Sequence, residues 1–284
     1  LGAVIIDEEH EGSYKSESSP RYITAEVAEK RCSLSGAKLI LGSATPLIES
    51  YYKAKKGEYR LICLTKRAGL GTLPRTETVD MRKELAEGNR SIFSRRLFYA
   101  IKEKLEKKEQ IMLFLNRRGY STFVSCRKCG YVMTCSNCSV AYKYHYKGNF
   151  LMCHYCGKKI NVPTVCPKCG SKYIKYFGTG TQKIEEEVRR YFPAARVLRM
   201  DFDTVAKKGS HEKILSAFAK READILIGTQ MIAKGHDFEN VSLVGIMAAD
   251  VSLNTGEYRG SEVTFGLITH AGGRAGRGKN KSDV

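Results

Sequence analysis

Eight of the ten cysteines fall into four C-x-x-C pairs: Cys126/Cys129, Cys135/Cys138, Cys153/Cys156 and Cys166/Cys169. Two thiols three residues apart on a tight knuckle can meet one tetrahedral ion, and two knuckles complete a four-thiolate zinc site. Four knuckles predict two zinc ions. Glycine follows three of the pairs (Gly130, Gly157 and Gly170) and supplies the backbone freedom such turns need. Spacing alone allows three ways of pairing the knuckles. Disulfides are disfavoured in a chain that reads as cytosolic, and an iron–sulfur cluster fits the doubled spacing less well than zinc. Cys32 and Cys63 stand alone and read as small buried hydrophobes.

The surroundings of the knuckles are one-sided in charge. Residues 110–184 hold no Asp or Glu but twelve Lys and Arg. Each all-cysteine zinc site carries two negative charges, so the segment stays positive even with both ions bound. Half of the 16 tyrosines also lie here. Cations interleaved with aromatics suit phosphate contact and base stacking. The whole chain carries a formal charge of +18 over 284 residues, which points to an acidic partner such as nucleic acid. No apolar run reaches the length of a membrane span, and no leader pattern opens the chain. The expectation is a cytoplasmic, globular protein of about two domains with no membrane partner. Its first residue is Leu1, inside an apparent strand, and it stops just after a Gly- and Arg-rich segment. A fragment of a larger protein is therefore expected.

A short apolar run without alternation at residues 1–7 reads as a parallel strand covered on both faces, and residues 37–41 as a second buried strand. Further strands are read at residues 110–115, 173–177, 196–200, 224–228 and 242–248. Helical spacing occupies residues 23–34, 47–55, 94–107, 182–191 and 212–220. Residues 61–80 read as an irregular connector. Alternating strands and helices predict an α/β protein with a mostly parallel sheet, interrupted by the cysteine region.

Two strand ends carry chemistry suited to nucleotides. Residues 5–10 (IIDEEH) end a strand in adjacent carboxylates. In P-loop NTPases such an Asp holds Mg2+, and the next Glu can act on the attacking water. Ser43-Ala44-Thr45 follows the second strand after a crossover-length separation. Near the other end, Gly273-Arg274-Ala275-Gly276-Arg277 sets two arginines three residues apart, which suits a γ-phosphate clamp.

DEEH, GSATP, the four-knuckle insert, ILIGTQMIAKGHDF (225–238) and GRAGR occur in that order. Together they resemble the primosomal replication-restart helicases of superfamily 2 (the primosomal protein N′ family), along essentially the whole chain. The resemblance implies two RecA-like P-loop NTPase lobes, the first incomplete, with a Cys-rich two-zinc insertion in the second. On that reading residues 1–80 belong to lobe 1, 81–125 start lobe 2, 126–172 form the zinc insert, and 173–284 complete lobe 2. It implies an ATP-dependent 3′→5′ DNA helicase that binds forked and single-stranded DNA. It also implies contact with single-strand-binding protein and with primosome and helicase-loader proteins.

Carried onto this chain, the resemblance gives Asp7 the Mg2+ of ATP and Glu8 the catalytic water. Tyr14, Lys15, Pro20, Arg21 and Tyr22 lie in a loop linking DNA to ATP hydrolysis. Ser43 and Thr45 couple the lobes. Gly228, Thr229, Gln230 and Lys234 contact nucleotide and DNA, and Arg274 and Arg277 reach the γ-phosphate. The family's zinc pairing is nested: Cys126, Cys129, Cys166 and Cys169 on one ion, Cys135, Cys138, Cys153 and Cys156 on the other.

The chain departs from the family at several points. No G-x-x-x-x-G-K-[ST] phosphate loop occurs in it. His270 replaces a usual Gln, Gly266 replaces another, and Gly272 adds a glycine expected to loosen the segment. These residues favour an alternative, a zinc-stabilised DNA- and partner-binding platform whose motor has decayed. A different superfamily 2 translocase is a third reading, which the four knuckles oppose. Without the phosphate loop, the chain alone is expected not to hydrolyse ATP.

Overall fold

In a computed structural model of the chain, all residues are described except 17, 67–73, 117–122, 146–147, 177–179, 202–203, 206–208, 230–231, 233–237, 255–257 and 275–281, and except the side chains of 175, 176 and 274. The chain divides into two compact units, Leu1–Arg67 and Ala68–Val284.

The first unit is a β-α-β crossover. Strand β1 (Ala3–Ile6) leads through helix α1 (Thr24–Ser35) to β2 (Lys38–Leu41), and α2 (Ile48–Lys55) follows. The strands are parallel, with Ile5 opposite Ile40. Helix α1 buries Ala28 and Cys32, one turn apart, and stops where Gly36 turns left-handed at φ 65°. Side chains alternate across a strand, so α1 covers one face, with Ile6 buried. On the other face Ile5 is 70% exposed and Ile40 51%. The expectation that both faces are covered therefore fails here: among the described residues of this unit, nothing packs over that face. Cys63, expected to be buried, is also exposed.

The second unit runs α3 (Met81–Ala86), α4 (Arg95–Glu106) and β3 (Gln110–Leu115), then five short strands. These are β4 (Val124–Cys126), β5 (Lys143–His145), β6 (Phe150–Met152), β7 (Lys159–Asn161) and β8 (Ile174–Tyr176). It continues with α5 (Thr181–Tyr191), β9 (Val197–Met200), α6 (Ser210–Ala219), β10 (Ile225–Gly228), β11 (Val241–Met247) and α7 (Gly260–Arg274). The main sheet has the order β11-β3-β10-β9, and all its pairs are parallel. Every residue of β3 and β10 is buried, as continuous apolar runs require. Ile111, Leu113, Ile225 and Ile227 face Ala100 and Ile101 of α4 and Ile184 and Val188 of α5. Met112, Phe114 and Leu226 face Leu215 and Phe218 of α6 and Leu267 of α7. The unit is thus a three-layered α/β domain, and α4, α5 and α6 begin and end close to the positions that spacing indicates. Ser94 starts α4 by accepting the Leu97 N–H at 3.1 Å.

Four details differ from the sequence reading or add to it. Strand β8 does not join the parallel sheet; it pairs antiparallel with β4, Cys126 opposite Ile174. The cause is long-range: Cys126 on β4 and Cys169 just before β8 belong to one sulfur cluster, which draws the two strand ends together. Helix α3 is new, and Asp80 caps it by accepting the Arg82 N–H at 2.9 Å. Helix α7 contains Gly266, His270, Gly272 and Gly273, so the added glycine sits within a helix. Packing supports it: Leu267 and Ala271 are buried in the core, with Val284 against it. Finally, part of the connector is extended, because the Arg75 and Glu77 N–H groups donate to Ser282 and Val284, each at 2.9 Å.

Between β3 and α5 the five short strands build a separate small core. Strands β5, β6 and β7 form an antiparallel meander. Val124, Met133, Tyr142 and Leu151 pack here with Cys135 and Cys153.

Candidate functional site

The four C-x-x-C pairs fold into four copies of one knuckle. In each, the N–H four residues after the first cysteine donates to that cysteine's carbonyl: Gly130 to Cys126, Ser139 to Cys135, Gly157 to Cys153 and Gly170 to Cys166, at 2.8–2.9 Å. The turn requires a left-handed residue. Glycine supplies it at Gly130, Gly157 and Gly170, and Ser139 adopts it at φ 56°. Ser139 is therefore the counterpart of the three glycines, which the serine itself did not signal.

The knuckles gather into two clusters. The ligand atoms of Cys126, Cys129, Cys166 and Cys169 all lie within 4.8 Å of one another, as do those of Cys135, Cys138, Cys153 and Cys156. Sulfur pairs stand 3.7 Å apart in both: Cys126–Cys169, Cys129–Cys166 and Cys135–Cys156. Four sulfurs about 2.3 Å from one tetrahedral ion are separated by about 3.8 Å, whereas a disulfide bond is about 2.05 Å. The donor set and its spacing fit zinc.

The electrostatics fit as well. Burial opposes ionisation of Cys126, yet the N–H groups of Cys129 and Lys128 and the neighbouring thiols bring it down to about 7. At Cys135 burial is likewise overcome, by the N–H groups of Asn137 and Cys138 and by the Tyr142 hydroxyl, and the thiol falls to about 6. The companions move oppositely. Contact with Cys156, and then burial, push Cys138 up to about 12. Cys169 gains the Ser171 N–H, but burial and its three neighbouring sulfurs still raise it to about 12. Sulfurs in contact cannot all ionise unless a cation offsets their repulsion, and a divalent ion supplies that charge.

Residues outside the C-x-x-C pattern hold the clusters. Tyr142 is buried, and its hydroxyl is held protonated beside Cys135. Arg127, within the first knuckle, donates to the Arg90 and Ser91 carbonyls, each at 3.1 Å. That ties the first cluster to the segment leading into α4. A cavity of about 770 Å3 lies between this knuckle, residues 75–82 and the edge of β11. Neither Gly228 nor Thr229 lines it.

In the first unit, DEEH and GSATP meet at the carboxyl ends of β1 and β2. His10 Nδ1 lies 2.7 Å from Ser43 Oγ, which also accepts the Thr45 N–H at 3.0 Å. Thr45 is buried. Asp7 accepts the Glu8 N–H at 3.0 Å, and Glu8 is held left-handed at φ 49°. Glu8 lies 3.5 Å from His10 Nδ1. Tyr14 donates to the Asp7 carbonyl at 3.1 Å. Lys15 bridges to Ile23, the Ser16 N–H donates to the Tyr22 carbonyl, and Arg21 and Tyr22 are exposed. Spacing did not single out Glu9. It is 4% exposed and accepts the Leu47 N–H at 2.7 Å and the Ser50 hydroxyl at 3.0 Å, capping α2. A carboxylate at a helix start complements the exposed N–H groups there.

In the second unit Gly228 ends β10, with Thr229 directly after it, at the carboxyl end of a central strand. Ligands of open parallel sheets bind at this end. A Cβ on Gly228 would stand 2.5 Å from Ile232 and 2.7 Å from the Met200 carbonyl, so the strand end admits only glycine. Nearby, buried Asp201 accepts the Thr181 hydroxyl, and the Thr204 N–H at 3.0 Å. Burial opposes its charge, but the Thr181 and Thr204 hydrogen bonds and Arg199 hold its carboxyl below the usual range. Arg274 is the last residue of α7. Its side chain, and Gln230, Lys234 and Arg277, lie outside the described residues.

Comparison with known proteins finds counterparts of these features. Residues 135–160 match the PriA DNA helicase Cys-rich region (CRR) domain, and residues 170–279 match the Helicase conserved C-terminal domain. The chain is 53% identical over 284 residues to the Replication restart protein PriA of Bacillus subtilis (strain 168). It is 47% identical over 293 aligned residues to that of Synechocystis sp.. The match covers 100% of this chain in both cases but 35% of each relative, so the chain spans about a third of their length. The helicase match assigns the four-stranded unit to a helicase lobe, with the four-cysteine clusters as its insertion. With a Cys-rich region of the PriA type and a match to the helicase C-terminal domain, the chain is similar along its whole length to PriA replication restart proteins.

Proposed function

We propose that this chain is the catalytic middle of an ATP-dependent 3′→5′ DNA helicase that restarts stalled replication forks. The observation that carries this reading is the similarity to Replication restart protein PriA from end to end, motifs and knuckles included. On this reading residues 1–80 belong to lobe 1, residues 81–125 and 173–284 form lobe 2, and residues 126–172 are the zinc insert. The two four-cysteine clusters hold one zinc ion each and stabilise the insert.

The chemistry follows from charge and position. Asp7 ligates the Mg2+ of ATP, and Glu8, beside His10, orients and deprotonates the attacking water. The His10–Ser43 contact, supported by Thr45, relays the nucleotide state to the second strand end. Tyr14, Lys15, Arg21 and Tyr22 pass it to DNA. Gly228, Thr229, Gln230 and Lys234 contact nucleotide and DNA from lobe 2, and Arg274 and Arg277 stabilise the γ-phosphate charge. The acid-free, lysine-rich insert binds forked and single-stranded DNA. Single-strand-binding protein, primosome proteins and helicase loaders are its protein partners, and it works in the cytoplasm. No helix among the described residues is long and apolar enough to cross a membrane.

The test is DNA-stimulated ATP hydrolysis by a protein extended upstream to include a phosphate loop. Fork-dependent turnover, abolished by Glu8→Gln, is expected. Turnover that survives Glu8→Gln removes the role given to Glu8. His270 and Gly266 favour the second reading, a DNA- and partner-binding platform without a motor. Salt-sensitive DNA binding with no turnover would establish it.

A further inference from the structure

Glu9 grips the segment that carries Ser43 and Thr45 at both of its ends. Its N–H donates to the Gly42 carbonyl at 3.0 Å, just past β2. Its carboxylate accepts the Leu47 N–H at 2.7 Å and the Ser50 hydroxyl at 3.0 Å, where α2 begins. Between these anchors lie only residues 43–46, Ser-Ala-Thr-Pro. The next residue, His10, holds the same segment in its middle, 2.7 Å from Ser43 Oγ. Two adjacent residues of DEEH thus fix the start, the middle and the finish of GSATP.

The grip is stiff. Glu9 is buried, so water does not compete for its oxygens. Its two side-chain bonds fix the direction of the carboxylate as well as its place. Within the gripped segment Ser43 Oγ accepts the Thr45 N–H at 3.0 Å, Thr45 is buried, and the ring of Pro46 fixes its own φ. Segment 43–46 therefore moves as one piece. On its other side Glu9 directly follows Asp7 and Glu8, which are themselves joined by the Glu8 N–H to Asp7 bond at 3.0 Å. A shift of those two carboxylates reaches Ser43 and Thr45 through both anchors at once.

We propose that Glu9 is a positioning residue of the motor: it sets Ser43 and Thr45 against the Asp7–Glu8 pair and so couples ATP hydrolysis to the opening of DNA. This rests on the helicase reading above and goes beyond it, because Glu9 acts through Ser43 and Thr45 and not on nucleotide or DNA. Removing the carboxylate frees the far anchor, while His10 still holds the middle of the segment. Hydrolysis is then poorly transmitted rather than abolished.

The test uses the full-length protein, phosphate loop included, on forked DNA, with ATP hydrolysis and strand separation measured in one reaction. Glu9→Ala should open about tenfold fewer base pairs per ATP hydrolysed, with the KM for ATP within about twofold of wild type, because the change spoils geometry and not nucleotide binding. Glu9→Gln should restore the ratio, since its amide oxygen accepts the Leu47 N–H and the Ser50 hydroxyl can turn to accept from its NH2. A merely structural role lowers Tm and total activity without moving the ratio. A Glu9→Ala ratio equal to wild type, or a Glu9→Gln ratio as low as that of Glu9→Ala, would overturn the proposal. If Glu9→Ala does not fold, Ser50→Ala, which removes one of the two side-chain bonds, decides: a lowered ratio is expected and an unchanged one overturns the proposal. A wild-type protein that hydrolyses no ATP on DNA defeats the helicase reading itself, and this inference with it.

Discussion

The sulfurs of Cys126 and Cys169 stand 3.7 Å apart across 43 residues of chain. Their cluster closes the insert at its base, where β4 and β8 pair, and the second cluster lies within that loop. The outer cluster thus joins the insert to the helicase sheet, and the inner one shapes the meander of β5, β6 and β7. The two centres have different structural tasks, and their removal should have different consequences.

Cys126→Ser should lower the zinc content from two ions to one and unpair β4 from β8, because ligand loss in a small metal site is folding loss. Cys135→Ser should also remove one ion but leave β4 and β8 paired. In both variants the parallel sheet should persist, since its two cores share no residue with the sulfur clusters. Metal analysis with amide exchange checks this. Undiminished zinc in either variant would strike that cysteine from the ligand set.

The left-handed knuckle position predicts opposite effects of two substitutions. Gly157, at φ 74°, has nothing within 4 Å of a built Cβ, so Gly157→Ala meets no clash but pays conformational strain. A loss of about 1–2 kcal/mol in zinc-dependent stability is expected. Ser139→Gly, at φ 56°, should be neutral or modestly stabilising. Chelator competition reads both, and a Ser139→Gly protein that releases zinc sooner than wild type contradicts the argument.

Gly228→Ala places a methyl group against backbone, not only against a flexible side chain. The Met200 carbonyl, 2.7 Å from the built Cβ, cannot yield without shifting β9. The expected cost is about 1–3 kcal/mol. Thermal unfolding of the whole chain should show a lowered Tm, and an unchanged Tm would mean that β10 can bend away.

Asp80 offers a pH-dependent test. The Arg82 guanidinium, then the Arg82 N–H, hold its carboxyl at about 2 instead of the ordinary 3.8. A depressed folded-state pKa stabilises the cap of α3 above the unfolded value and loses that contribution as the pH falls from about 4 through about 2. Carboxyl NMR should place the Asp80 midpoint near 2. Arg82→Met should raise it towards the ordinary value, and a midpoint indifferent to Arg82 would dismiss the pair.

Much of this molecule is readable in its residues because the relevant signals are local. The apolar runs at 110–115 and 225–228 have no alternation and become strands buried on both faces. The periodic apolar positions Ile184 and Val188 become the inner face of α5. The short spacing within each C-x-x-C pair folds as the same knuckle four times. Other features were hidden because their cause lies elsewhere in the chain. Glu9 looked like one more carboxylate in DEEH, yet it caps α2 through Leu47 and Ser50, some forty residues on. Helix α7 has no strong amphipathic stripe and two adjacent glycines, and it forms because it packs over β11, with Leu267 and Ala271 buried in the core.

By itself, then, the sequence determined which segments form the strands of the parallel sheets, which cysteines share a knuckle and which strand ends carry acidic and hydroxyl groups, since each follows from residues within a turn or two of one another; the short strands of the insert were not among them. Only the tertiary structure decided that Cys126 faces Cys169 and Cys135 faces Cys156, that β8 runs antiparallel to β4 rather than joining the sheet, and that β1 and β2 leave Ile5 and Ile40 uncovered. Those outcomes depend on which distant surfaces bury each other and which distant thiols converge, and local spacing carries no record of that choice.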